Sequence, residues 1–326
     1  MSEPALHPEL AELRTPVPAW LRETFAVPRR EGEVVVEGCP IRYLEWGDAR
    51  DPGVVMVHGY MAHARCLAMV APLLADRYHV VAYDISGMGD SGARSTYDDA
   101  VRAQELHAVA AHTGMFDTGV APFVVAHSYG CTVTFSAMER WGSAFGGAIL
   151  CDLMLMRPER QAAFFADRDA GIAAASGKRV RGPSPDLESI IARFRLEPEQ
   201  PVAHPVLREY VARHSVREVD GGWTWKFSPT IFGNLSGGNP SGNAAGGGHG
   251  WWGQLAERLR DLPVRNAFVY GARSSLFDAD SVAWLREIGV TRTPFIPIAH
   301  AHHHIMLDEP VAFASALRAV LEMWRA

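Results

Sequence analysis

A series of short apolar runs, each followed by a helical stretch, is the strongest constraint on how this chain can fold. Residues 53–57 (Gly-Val-Val-Met-Val) are apolar without interruption, the mark of a strand buried on both faces. Residues 78–83 (Tyr-His-Val-Val-Ala-Tyr), 122–126 (Pro-Phe-Val-Val-Ala) and 146–151 (Gly-Gly-Ala-Ile-Leu-Cys) read as strands of the same kind. Helical patterns at 64–76, 98–113 and 129–141 separate them. The alternation resumes with a strand at 264–270, a helix at 279–288, a strand at 294–298 and a last helix at 309–324. Such an order predicts an α/β fold, a mostly parallel, doubly wound sheet with helices on both faces. Ahead of it, Leu10, Leu13, Trp20, Leu21 and Phe25 predict an entry helix interrupted by Pro16 and Pro18. Residues 33–37 and 41–46 predict two strands around a Gly38-Cys39-Pro40 turn, a hairpin suited to cover one sheet edge.

The pattern breaks between 153 and 262, where short helical pieces are rich in Arg, Pro and aromatics. The expected division is therefore a core of residues 1–152 and 263–326 with a mainly helical lid inserted at 153–262. Within the insertion, 233–250 is a Gly/Asn/Ser tract that cannot bury a core and is expected to be a flexible loop. A phosphate-cradling role is disfavoured, because no Gly-Lys-Ser/Thr follows it.

Length and composition narrow the function. A chain of 326 residues, 48% hydrophobic and 21% charged, has ample core material for one α/β domain with an insertion. Its net charge of −6 argues against nucleic-acid binding, which needs a basic face. Lysine is nearly absent (Lys178 and Lys226), so the positive charge is almost all arginine. Cys39, Cys66, Cys131 and Cys151 form no Cys-x-x-Cys pair, and none lies near a His at zinc-ligand spacing. Cys131 and Cys151, in apolar surroundings, are expected as buried thiols. No stretch reaches the roughly 18–20 apolar residues of a membrane span. Met1 to Leu13 carries three Glu and no apolar run, unlike a signal peptide. A soluble cytoplasmic protein, with no membrane partner, is the expectation. Oligomeric state is not readable.

The chemistry centres on Ala126-His127-Ser128-Tyr129-Gly130. This pentapeptide follows an apolar strand and opens a helix, the setting a nucleophile elbow needs. The turn is tight, so positions two before and two after the serine must be small, and Ala126 stands where a glycine is usual. A serine used only as a helix N-cap would suit the same place. A serine nucleophile needs a base, and the base should come late in the chain. His300, His302, His303 and His304 crowd the loop before the last helix. A metal cluster is the rival reading of that tract, but neighbouring side chains in a loop diverge.

At this point the chain resembles the α/β-hydrolase superfamily of serine esterases and related enzymes. The matching pieces are His58-Gly59-Tyr60, Asp84-Ile85-Ser86-Gly87-Met88-Gly89-Asp90-Ser91, the elbow at Ser128 and the loop His303-His304-Ile305-Met306-Leu307-Asp308-Glu309-Pro310. The resemblance implies the α/β-hydrolase fold and places the catalytic base at His303, with His304 as runner-up. Most relatives carry the acid after the strand that follows the insertion, but here Tyr270-Gly271-Ala272-Arg273-Ser274-Ser275 has Ser at that position. Some relatives, haloalkane dehalogenases and certain lactone hydrolases among them, carry it one strand earlier. That place is held by Asp152, 24 residues after Ser128; Asp278 is the alternative. The resemblance also implies an oxyanion hole from the backbone amides of Tyr60 and Tyr129, with Met61 a substitute for Tyr60. Asp84 and Asp90 are expected to hold a turn. Trp223, Trp225, Phe227, Trp251 and Trp252 would either line a pocket or pack the insertion onto the core.

Together these residues imply a serine hydrolase cleaving a carboxylic ester or lactone of small size through an acyl-enzyme, with no cofactor or metal. The same triad serves carbon–carbon, thioester and amide hydrolysis. A ligand-binding protein on this fold with little turnover is the reading from another class, and a metal-dependent enzyme using the His tract is a third.

Overall fold

The computed structural model describes residues 6–164, 166, 183–229, 231 and 250–325. Its main sheet has eight strands: β1 (Arg29–Val36), β2 (Cys39–Trp46), β3 (Gly53–Val57), β4 (His79–Tyr83), β5 (Phe123–His127), β6 (Gly147–Cys151), β9 (Asn266–Gly271) and β10 (Phe295–Ile298). A separate hairpin supplies β7 (Val216–Val219) and β8 (Gly222–Trp225). The sheet order is β1-β2-β4-β3-β5-β6-β9-β10. β1 pairs antiparallel with β2, and β2 antiparallel with β4. Every other neighbour is parallel. This is the expected mostly parallel α/β sheet.

Side-chain alternation explains why the central strands are apolar throughout. Val54 and Met56 of β3 join one buried cluster, together with Phe123 and Val125 of β5 and Phe313, Leu317 and Leu321 of the final helix. Val55 and Val57 join the cluster on the opposite face, with Leu106 and Val109 of the helix Asp99–His112 and Leu255 and Leu259 of the helix Gly250–Arg260. Each strand therefore needs apolar residues at odd and even positions alike.

Three local expectations change. The β1–β2 turn is Glu37-Gly38, both left-handed (φ 45° and 74°), which matches the twist of a two-residue hairpin. Cys39 and Pro40 thus begin β2 rather than form the turn. β1 also reaches back to Arg29 through charged residues. It is an edge strand, and charge there blocks pairing with another chain. The helix expected at 64–76 is instead two 3-10 turns, Ala64–Leu67 and Ala71–Leu73, the second containing Pro72.

Between β6 and β9 lie short helices at Leu187–Ile191 and Pro205–His214, then the β7–β8 hairpin. The hairpin was not expected, yet its signal was present. Asp220-Gly221 is a favoured two-residue turn, and Gly221 is left-handed at φ 84°. The segment after it docks on the turn following β4: the Ser228 amide donates to the Gly87 carbonyl (2.7 Å), and Lys226 pairs with Asp90 (2.6 Å). Of the Gly-rich tract, residues 233–249 lie outside the described residues, and Gly250 opens a helix. Among the described residues, no helix is long and apolar enough to cross a membrane.

The N-terminal segment is tied down by charge. The Glu9 carboxylate takes two hydrogen bonds from Arg29 (2.9 Å each), one from Arg65 Nε (2.8 Å) and one from the Tyr210 hydroxyl (2.9 Å). Burial alone would raise the Glu9 carboxyl, but the Arg29 hydrogen bonds and the Arg29 and Arg65 charges outweigh it. The carboxyl is held well below the usual glutamate range. Glu9→Gln removes the buried anion shared by Arg29 and Arg65, leaving them the more exposed carboxylates of Glu31 and Asp90, and should destabilise the fold by about 1–3 kcal/mol at neutral pH. Since the folded value lies below the unfolded one, Glu9 stabilises fully above the ordinary glutamate value of about 4.5, and the effect fades as pH falls below it. Urea unfolding of both proteins at pH 7 and in acid should show the gap shrinking in acid; a constant gap would refute the ionic origin.

Candidate active site

Sheet order locates the site. β3 is flanked by β4 on one side and β5 on the other, so the chain leaves β3 and β5 in opposite directions and opens a crevice at their carboxyl ends. His58-Gly59-Tyr60 leaves β3 there, and Ser128 leaves β5. Ser128 is left-handed at φ 52°, a conformation non-glycine residues rarely adopt and functional sites often store. Its amide donates to the Cys151 carbonyl (2.8 Å), and the helix Gly130–Trp141 begins two residues on.

The small-residue rule acts unequally on the two sides of Ser128. A Cβ at Gly130 would lie 2.7 Å from the carbonyl oxygens of both Val57 and His58, with backbone on each side. Ala126 lies within β5, paired with Val57 and Leu150, where its methyl packs fully buried. The elbow therefore tolerates alanine before the serine but not after it. Gly130→Ala should destabilise by about 1–3 kcal/mol through backbone displacement and should shift the His58–Tyr60 segment. Thermal unfolding checks the first effect and near-ultraviolet circular dichroism of the Tyr60–Tyr129 pair the second; an unchanged Tm would contradict the contact.

Asp152 and His303 meet across the carboxyl edge. Asp152 follows β6, left-handed at φ 48° and fully buried. Its Oδ1 lies 2.9 Å from His303 Nδ1 and accepts from the Ser274 hydroxyl at 2.6 Å. Its Oδ2 accepts from the Gly271 amide at 2.7 Å. With Nδ1 engaged by a carboxylate, His303 keeps Nε2 for another partner. Asp278 is placed elsewhere: it caps the helix Ala279–Glu287 through the Ser281 amide (3.0 Å) and pairs with Arg160 (2.6 Å).

The other histidines of the tract have separate partners. His300 Nδ1 meets Arg273 (3.0 Å), and His302 Nδ1 meets Asp308 (3.1 Å). His304 is buried, its amide bonded to Gln200 (2.9 Å) and its Nε2 enclosed without a partner. Burial holds His304 well below the ordinary histidine range. His304 does not contact Asp152 through any hydrogen bond among the described residues, unlike His303.

Two supporting residues escaped the sequence reading. In the sequence Ser274 is only a serine where relatives carry the acid; the structure turns its hydroxyl onto Asp152 (2.6 Å). His127 lies buried beside Ser128, its ring centroid 4.7 Å from that of His303. Burial, aided by the His303 charge, pushes His127 down to about 3, so it is neutral at physiological pH. Its Nε2 lies 2.9 Å from the His303 carbonyl and must carry the proton it donates. That bond fixes the backbone from which the His303 ring projects.

The β3 side is braced in the same way. His58 Nε2 accepts from the Ile85 amide (3.0 Å), so its proton sits on Nδ1, which donates to the Gly59 carbonyl (2.7 Å). Burial pushes His58 down to about 4, consistent with that neutral ring. Gly59 lies against the elbow: a Cβ there would come 3.3 Å from Ser128 Cβ. Next to it, Tyr60 packs edge-to-face on Tyr129 (centroids 5.4 Å apart), and its hydroxyl bonds the Ile231 carbonyl (3.1 Å). Met61 is left-handed at φ 55°, so the chain turns sharply just after Tyr60.

Asp84 and Asp90 are placed as turn-holders. Asp84 is buried and accepts from the Ala64 and Asp90 amides (2.6 and 2.8 Å). Burial pushes its carboxyl up to about 6. Of the insertion aromatics, Trp225 stacks on Phe227 (6.4 Å), and Phe227 packs against the core. The side chains of Trp251 and Trp252 lie outside the described residues.

With this geometry in hand, comparison with known proteins is specific about the family. A family model for the alpha/beta hydrolase family matches residues 54–316. A probable oxidoreductase EphD of Mycobacterium tuberculosis is 32% identical over 111 residues, covering 33% of this chain and 18% of that protein. A 1H-3-hydroxy-4-oxoquinoline 2,4-dioxygenase of Pseudomonas putida is 32% identical over 113 residues, 33% of this chain and 40% of that protein. The matched segment spans less than half of either relative. Among solved structures, the thioesterase domain from the curacin biosynthetic pathway superposes with a TM-score of 0.67 at 22% identity, covering 89% of this chain and 99% of that one. That likeness is one of fold. The matched family model covers most of the chain, including the elbow and the His303 loop: the protein belongs to the alpha/beta hydrolase family.

Proposed function

We propose that this protein is a serine hydrolase that cleaves a carboxylic ester or lactone through an acyl-enzyme. The observation that carries the reading is the buried His303–Asp152 pair, 2.9 Å apart, at the sheet edge where Ser128 stands in a left-handed turn. In this reading His303 Nε2 takes the Ser128 proton as Oγ attacks the substrate carbonyl. Asp152 holds the ring in the tautomer with its proton on Nδ1 and stabilises the imidazolium that forms. The tetrahedral oxyanion lies between the Tyr60 and Tyr129 amides. His303 then protonates the leaving alkoxide, and water activated by the same nitrogen releases the acid.

Neutral His127 beside His303 supports the assignment. A second protonated ring 4.7 Å away would oppose the imidazolium, and burial prevents it. Residues 153–262 serve in this reading as a lid that shapes the pocket and selects the acyl or alcohol group. The substrate is a small molecule, and the chemistry draws on no cofactor.

Treatment with a fluorophosphonate followed by peptide mapping tests the nucleophile. A single adduct on Ser128, together with steady turnover of a short-chain p-nitrophenyl ester, is the expected result. An adduct on a different residue, or turnover abolished by chelators, would overturn it.

A further inference from the structure

One buried charge has no role in the chemistry above. Arg102 lies in the helix Asp99–His112 with 5% of its surface exposed. Among the described residues its guanidinium makes no hydrogen bond or ion pair, and its Nε is enclosed without a partner. The nearby carboxylate of Glu105 is already engaged, accepting from Arg94 Nε (3.0 Å) and from the Ser86 amide (3.1 Å). Asp99, one turn back, contributes attraction at longer range. Arg102 is held instead by two aromatic faces. Its Cζ lies 5.0 Å from the ring centroid of Tyr97 and 5.0 Å from that of Tyr129.

Ring faces attract the charge but offer its N–H groups no acceptor, and Nε is enclosed without one. An arginine presents five N–H groups in a fork shaped for a carboxylate, and it does not shed its proton to escape burial. The helix N-terminus one turn away disfavours a cation further. An arginine buried without an acceptor departs from local rules, and such departures concentrate at functional positions.

The surroundings indicate which function. Tyr129 follows Ser128 directly, and its ring, in contact with both Arg102 and Tyr60, carries a buried hydroxyl with no partner. The hydroxyls of Tyr83 and Ser86 are likewise buried and unpartnered, and Arg102 acts electrostatically on Tyr83, Tyr60 and His58. The guanidinium and the Tyr129 hydroxyl can both donate, and charged donors of this type bind carboxylates most strongly.

We propose that Arg102 and the Tyr129 hydroxyl form an anion subsite beside Ser128, so that the acyl part of the substrate carries a carboxylate. The proposal deepens the serine-hydrolase reading and rests on it. The carboxylate would replace the missing partner of Arg102 on binding, and the alcohol would leave from the opposite side of the scissile carbonyl.

The test compares p-nitrophenyl hemiesters of succinate, glutarate and adipate with the neutral p-nitrophenyl esters of matching chain length. The wild-type protein should favour at least one hemiester in kcat/KM. Arg102→Met should lower that preference by about 10- to 100-fold, the loss of a charge-assisted hydrogen-bonded pair. Arg102→Lys should fall between the two, because it keeps the charge without the fork. A wild-type preference for every neutral ester, or an equal loss on both series in folded Arg102→Met, would overturn the subsite. Should Arg102→Met fail to fold, inhibition of wild-type turnover decides. Free glutarate or adipate should compete where their dimethyl esters do not, and equal inhibition by both would overturn the proposal. Fluorophosphonate labelling separates the two claims. Ser128 labelled with no carboxylate preference refutes the subsite alone. Ser128 unlabelled refutes the hydrolase reading, and the subsite is then judged by calorimetric binding of the same dicarboxylates to the wild type and to Arg102→Lys: tighter binding to the wild type supports it, and equal or weaker binding to the wild type, or none, refutes it.

Discussion

Ser128→Ala should lower kcat on a short-chain p-nitrophenyl ester by about 10⁵- to 10⁶-fold and abolish the fluorophosphonate adduct. The size follows from how the site divides its work. A serine, its base and the acid act as a unit, so removing the nucleophile leaves only what the oxyanion donors and substrate binding supply, roughly 10³–10⁴ over water. The fold should survive the change. Ser128 makes its backbone bond to Cys151 with the amide, which alanine retains, and alanine occupies the left-handed φ of 52° no less easily than serine. Ser128→Gly should stabilise the protein slightly while being equally inactive, because glycine adopts that conformation without strain. Activity within tenfold of wild type in Ser128→Ala would remove the central claim. Loss of activity through loss of the folded state would be recognised by the absence of a cooperative transition in Ser128→Ala itself.

The sheet was legible because its central strands are buried on both faces and must therefore be apolar at every position. β3, β4, β5 and β6 all fall within a residue or two of their expected bounds. β1 was read short, since Arg29-Arg30-Glu31-Gly32 gives no apolar signal when an edge strand meets solvent and ion pairs. The β7–β8 hairpin was hidden by polar strands of four residues, although Asp220-Gly221 announced its turn.

At the site, a resemblance in spacing singled out Ser128, His303 and Asp152, and the structure places the last two in contact. The residues that brace them were not legible. His127 could be read only as the variable position of a motif, and Ser274 only as the lack of an acid. Each acts through a partner more than one hundred residues away, His303 for one and Asp152 for the other. Arg102 was invisible for a related reason. Nothing in a sequence shows that an arginine on a helix is buried with no hydrogen-bond acceptor for its guanidinium among the described residues.

Asp152→Asn is the second change expected to have a large effect, a fall of about 10⁴-fold in kcat at neutral pH. The cause lies in proton placement. The Asp152 carboxylate accepts from His303 Nδ1, Ser274 and the Gly271 amide at once. An amide in its place has one oxygen to accept with and one NH₂ that must point at a donor. Keeping the Gly271 bond leaves the amide oxygen at Oδ2 and puts the NH₂ in the place of Oδ1, facing His303 and Ser274. The Ser274 hydroxyl can turn to accept, but His303 then accepts at Nδ1, holds its proton on Nε2 and cannot take one from Ser128. Raising the pH should not restore activity, since the defect is the tautomer and not the charge of the ring. A loss in Asp278→Asn matching that in Asp152→Asn would undo the assignment, because Asp278 serves a helix cap and an ion pair. Ser274 permits a sharper test. Its hydroxyl reaches the same Oδ1 that His303 does, so a carboxylate placed at 274 lies near enough to take over the imidazole. Asp152→Ser combined with Ser274→Asp should therefore exceed Asp152→Ser alone by about tenfold or more in kcat, a gain of about 1.4 kcal/mol in transition-state stabilisation. If the double variant is no better than the single one, the acid at 152 depends on its own left-handed backbone and buried amide contact as well as on its distance from His303.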